Sequence, residues 1–153
     1  MHVKIGKYPT HRFYHNYLYD KFGYAPTQDV KVKIDEWDTW NMDETLAHII
    51  LPMLKQLKKK THSYPSSLPN EAAWKDTLDK MIFSFSSKLN DWEEQFQSGE
   101  HDVVWTENKD GSRTMEKGPN NTFEIDVEGM KAYQARIDEG FLLFGKYYEN
   151  LWD

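Results

Sequence analysis

The sequence predicts an α+β fold, predominantly α, in which three long amphipathic helices pack with a small antiparallel sheet. Three observations carry this reading. Apolar residues recur at three- and four-residue spacing over three separate stretches of the chain. Val30, Val32 and Ile34 alternate with Lys31 and Lys33, the period of a half-buried strand. Asn108-Lys109-Asp110-Gly111 follows Val103-Val104-Trp105 and supplies the left-handed geometry of a tight turn. At 153 residues the chain is expected to form a single compact domain, 1–153, with no internal repeat.

Taken in order, Val3 and Ile5 flank Lys4 and predict a short edge strand. Tyr14, Leu18 and Phe22 share one helical face, which predicts a helix over 11–22 ended by Gly23, with a turn at Ala25-Pro26-Thr27. The strand at 30–34 has one apolar face, which the helices are expected to cover. Asn41 with Glu44 three residues on resembles a capping box at the start of the first long helix. Leu46, Ile49, Ile50, Met53, Leu54 and Leu57 are read as its buried face. Pro52 cannot donate to the His48 carbonyl, yet the period survives it, so the helix is expected to continue to Lys60 with a kink.

A proline-bearing loop, 61–70, leads to a second helix starting near Asn70 or Glu71. Its stripe is Trp74, Leu78, Met81, Ile82, Phe85, Leu89 and Trp92, and its end is expected near 96–99. The stretch 101–122 reads as hairpin-like, with a second turn at 117–121 and a short strand at 123–125. That strand patch is expected to include residues 30–34. A last helix is expected over 127–151, its face marked by Met130, Tyr133, Ile137, Phe141, Phe144, Tyr148 and Leu151. Gly140 and Gly145 cost a helix interior about 1 kcal/mol each, so close helix approach, or room for neighbouring aromatic rings, is the expected reason for them. The ending Leu151-Trp152-Asp153 is expected to be docked.

Composition narrows the function classes. There is no cysteine, which excludes disulfides, thiolate catalysis and sulfur-ligated metal. No run of 18 apolar residues and no signal-peptide pattern occur, so a soluble intracellular protein with no membrane span is expected. A formal charge of −6 disfavours nucleic acid as a partner. Phosphate-binding glycine loops and the G-x-S-x-G elbow are absent, so no catalytic residue is assigned.

Candidate sites remain. Asp35, Glu36, Asp38, Asp43 and Glu44 place five carboxylates in ten residues around Trp37 and Trp40. An interaction surface of Trp37, Trp40, Asp35 and Asp38 is one reading, because tryptophan is enriched at the centres of interfaces. Oxygen ligation of a divalent metal ion by Asp35, Asp38 and Glu44 with His48 is another, although the calcium-loop spacing is missing. Asp76 and Asp79 could approach that group from the second helix. Lys58, Lys59 and Lys60 with Arg136 form a candidate anion-binding group, against the plainer role of lysines complementing a helix C-terminus. His11 and His15, beside Arg12, are a further pair with no partner fixed by spacing.

Residues 34–65, IDEWDTWNMDETLAHIILPMLKQLKKKTHSYP, and 136–153, RIDEGFLLFGKYYENLWD, carry a resemblance. They are similar to a family of small uncharacterised proteins encoded by tailed (T4-like) bacteriophages. VKIGKY at 3–8, Leu78-Asp79-Lys80-Met81-Ile82 and Asp91-Trp92 also fit, whereas His62-Ser63 stands where members have His-Gly. The resemblance implies a viral protein in the host cytoplasm or in a virion, and implies no activity. The expected function is an accessory protein that binds a host or phage macromolecule, countering a host function, without a cofactor. The alternatives are a metal-dependent enzyme or binding protein for a phosphorylated small molecule, and a structural virion component.

Overall fold

The computed structural model describes residues 2–5, 17, 20–23 and 30–152. The helix expected over 11–22, apart from residues 17 and 20–22, lies outside the described residues, as do the turn at 25–27 and the His11–His15 pair. The chain divides into two compact units, Met1–Thr45 and Leu46–Asp153.

In the first unit β1 (His2–Ile5) pairs antiparallel with β2 (Val30–Lys33), Val3 opposite Val32 and Ile5 opposite Val30. A 3-10 turn, Glu36–Thr39, follows from the extended backbone of Asp35. Helix α1, Met42–Lys60, begins here and runs on into the second unit. The Asn41 carbonyl accepts from the Thr45 N–H at 3.0 Å and closes its first turn. The helix passes through Pro52, as the surviving period requires.

Three helices dominate the second unit and share one core. Ala47, Leu51 and Leu54 of α1 are buried with Trp74, Leu78, Met81 and Phe85 of α2 (Glu71–Ser87), and with Tyr147. Phe141 and Phe144 of α3 (Val127–Lys146) pack edge-on against the Phe85 ring, at 5.1 and 5.0 Å between centroids. Each of the later helices starts from a side-chain cap. Asn70 accepts from the Ala73 N–H and Asp126 from the Gly129 N–H, both at 2.9 Å, which satisfies donors that a helix leaves open.

The buried face of α1 differs from expectation. Leu46 and Met53 are exposed, and Ala47 and Leu51 take their place in the core. A helix with apolar residues on more than half its circumference has two possible inner faces, and spacing alone does not choose between them. Helix α2 is also shorter than its stripe, ending at Ser87. Ser84 and Ser87 bond back to the carbonyls of Lys80 and Phe83, and the Asn90 amide donates to the Ser86 carbonyl at 2.6 Å. Such bonds compete with the helical ladder. A second 3-10 turn, Trp92–Phe96, takes over. Helix α3 likewise stops at Lys146, and Tyr148–Asn150 form a 3-10 turn.

Where α2 and α3 meet, Gly140 answers its expectation. A Cβ there would lie 2.0 Å from Ser84 Oγ and 2.3 Å from the Lys80 carbonyl oxygen. Gly145 is not a site of close approach, because a Cβ there meets nothing within 4 Å. The remaining strands form two more ladders. β3 (Gln97–Ser98) pairs with β6 (Glu124–Ile125), and β4 (Val103–Glu107) with β5 (Arg113–Lys117). Among the described residues the strands therefore make three separate two-stranded antiparallel sheets. β2 does not join the hairpin region, because β4 and β5 pair locally across a turn closed by Gly111 at φ 81°.

Candidate functional site

The 3-10 geometry of Glu36–Thr39 explains its most distinctive feature. With three residues per turn, positions i and i+3 eclipse, so Trp37 and Trp40 fall on one ridge. Their rings stack at 5.2 Å between centroids with 9° between planes. Stacking does not bury them: Trp37 is 70 % and Trp40 75 % exposed. The turn is fixed from within, since the Asp38 carboxylate accepts from the Asp35 N–H at 2.8 Å and Thr39 Oγ1 donates to the Glu36 carbonyl at 2.8 Å. Asp35 and Glu36 are exposed beside the indoles. The carboxylate run thus forms the frame of an exposed aromatic ridge.

Glu44 and His48 are both exposed on successive turns of α1. Asp79 is held by Lys58 and Asp76 lies 3.8 Å from Lys80. Among the described residues no group of three or more His, Asp or Glu is placed to hold a metal ion.

Two of the four candidate anion-binding residues have individual partners. Lys58 makes an ion pair with Asp79 at 2.5 Å, tying the end of α1 to α2. The Arg136 guanidinium lies 4.0 Å over the Phe83 ring, one α2 turn beyond Asp79. Lys59 and Lys60 stand exposed at the end of α1. A pocket of about 30 Å³ between Tyr64, Trp74 and Trp152 holds no more than a water or two. An open depression of about 250 Å³ beside Phe96 and Ile125 is lined by Glu124 and Asp126 and by no lysine or arginine.

Two exposed apolar surfaces were not anticipated from residue spacing. One is the outer stripe of α1, Met42, Leu46 and Met53 with half-buried Ile49. The other is the β4–β5 hairpin, whose every residue is exposed and where Trp105 faces Met115 across the ladder. A signal for the hairpin was present in β5, where Arg113, Glu116 and Lys117 leave neither face apolar. Among the described residues no helix is long and apolar enough to cross a membrane.

Comparison with protein-family models, curated proteins and solved structures gave no significant match.

Proposed function

We propose that this chain is a phage accessory protein that binds a host or phage protein in the host cytoplasm, countering a host function, and that Trp37 and Trp40 form the centre of its binding surface. The single observation that carries the reading is the stacked, exposed indole pair. Two large apolar rings left in water forgo burial worth roughly 1.5–3 kcal/mol each, and a rigid stacked pair loses little freedom when a partner covers it. Tryptophan is among the residues most enriched where interface energy concentrates. The phage setting rests on the resemblance of residues 34–65 and 136–153.

Affinity capture from phage-infected host lysate tests the reading. The wild-type chain is expected to retain a stoichiometric protein that a Trp37→Ala, Trp40→Ala double variant of unchanged circular dichroism loses. Equal retention by both chains would refute the role of the ridge. A bound nucleotide or metal ion in place of a protein would move the assignment to Asp35, Asp38, Glu44 and His48, or to Lys58–Lys60 and Arg136.

A further inference from the structure

The β4–β5 hairpin has an open backbone edge, and its side chains select what fits there. Independently of the Trp37–Trp40 ridge, we infer that the edge of β4 pairs antiparallel with β4 of a second copy of this chain, about a two-fold axis at Trp105. The Asn108 N–H donates to the Ser112 carbonyl and the Gly118 N–H to the Asp102 carbonyl, both at 2.8 Å. With the register of the ladder, these bonds turn the even-numbered residues of β4 toward β5. The N–H and C=O groups of Val103, Trp105 and Glu107 therefore point to the opposite edge, where among the described residues no other strand lies. Such an edge is a template for a further strand. This hairpin gains from one, because its residues are exposed on both faces and two strands alone are marginal.

The second copy is favoured by what each residue would meet. Outward residues can oppose only outward residues, so an axis at the middle of β4 sets Trp105 against Trp105 and Val103 against Glu107. The outward backbone groups are then satisfied and no like charges lie opposite each other. Val103, Trp105 and Glu107 share one face with Lys117, Met115 and Arg113. Across four strands the central row on that face reads Met115, Trp105, Trp105, Met115, all apolar. In each flanking row Glu107 has Arg113 of its own hairpin on one side and, beyond Val103, Lys117 of the other copy. The edge of β5 offers nothing comparable, since the same operation about Met115 would oppose Arg113 to Lys117 twice. Pairing β4 with β5 of the next copy keeps opposite charges together but never closes, and gives fibres in place of a dimer.

Sedimentation equilibrium of the full chain, from micromolar to millimolar concentration, tests the proposal. A monomer–dimer equilibrium is expected, with the Trp105 amide proton gaining protection from exchange as the dimer fills. Trp105→Lys and Trp105→Glu each set like charges on the axis and should dimerise at least about tenfold more weakly. Mixed in equal amounts, the two variants should pair with one another again. In a mixed-isotope sample of the wild type, an Overhauser effect between Trp105 rings of different copies reads the same pairing without a substitution. A chain that stays monomeric throughout, or a dimer indifferent to Trp105→Lys, would overturn the proposal. So would a mixture that fails to pair while the Asn108–Ser112 hairpin contacts persist. Growth past two copies would also overturn it, and would assign the edge of β4 to β5 of the next chain.

Discussion

Gly140 shows how one residue sets the distance between two helices. With no side chain at 140, Ser84 reaches across and donates to the Ile137 carbonyl at 2.7 Å, a buried bond between α2 and α3. Gly140→Ala would drive a methyl group into Ser84 and the Lys80 backbone. Overpacking of this kind is expected to cost about 1–3 kcal/mol, read as a lower urea midpoint at unchanged m-value. Ser84→Ala removes the bond without filling the gap and is expected to cost about 1 kcal/mol. Gly145→Ala, with open space around it, is the matched control and should be neutral or slightly stabilising.

Asp110 offers a pH-dependent test at the same scale. The Ser112 hydroxyl and N–H both donate to its carboxylate, at 2.6 and 3.0 Å, and hold it below the usual carboxylate range. A group depressed in the folded state stabilises above its unfolded pKa, and that contribution is lost as pH falls through the folded value. The hairpin amides should therefore lose hydrogen-exchange protection below about pH 4. Asp110→Asn should remove that dependence.

Among the elements, the β4–β5 hairpin stands apart because two strands exposed on both faces are marginal by themselves. Its turn then carries much of its order. Asn108 and Ser112 pair through the backbone at 2.8 Å, and the Asn108 amide donates to Ser112 Oγ and Thr114 Oγ1. Gly111 sits in the left-handed region without crowding. Gly111→Val is thus expected to weaken the Trp105–Met115 cross-strand contact, seen as lost nuclear Overhauser effects, while the global unfolding midpoint stays in place.

These elements also mark how far the sequence could be read. The number and order of the three helices were legible, because a 3.6-residue period sustained over four or five turns suits a helix and no strand. The hairpin turn was legible from Asn108 to Gly111. The inner face of α1 was not, since Leu46 and Leu51 are equally apolar and only the neighbouring helix decides between them. Nor was the end of α2, because Leu89 and Trp92 keep the stripe's rhythm after the backbone has left the helix. At the candidate site the sequence left Trp37 and Trp40 equally suited to surface or core, and their stacking required a 3-10 turn that the spacing did not distinguish from the first turn of a helix.

At the scale of the molecule, order and exposure are divided unevenly. The buried side chains gather on α1, α2 and α3, which share a core of Trp74, Leu78, Met81 and Phe85. The exposed tryptophans belong to other elements: Trp37 and Trp40 to their turn, Trp105 to the hairpin and Trp152 to the residues after α3. Truncating Trp37 and Trp40 should for that reason leave stability nearly unchanged, whereas Trp74→Ala should cost about 3–5 kcal/mol. Thermal unfolding of the two variants separates a surface made for contact from one made for folding.

The most direct test is the affinity of the captured partner, measured by calorimetry for the wild type, for Trp37→Ala with Trp40→Ala, and for Trp105→Ala. If the stacked indoles are the centre of the interface, the double variant should bind about 30-fold more weakly or worse, with Trp105→Ala close to wild type. A double variant that binds as tightly as the wild type would contradict the account and leave Trp37 and Trp40 as surface residues without a binding role.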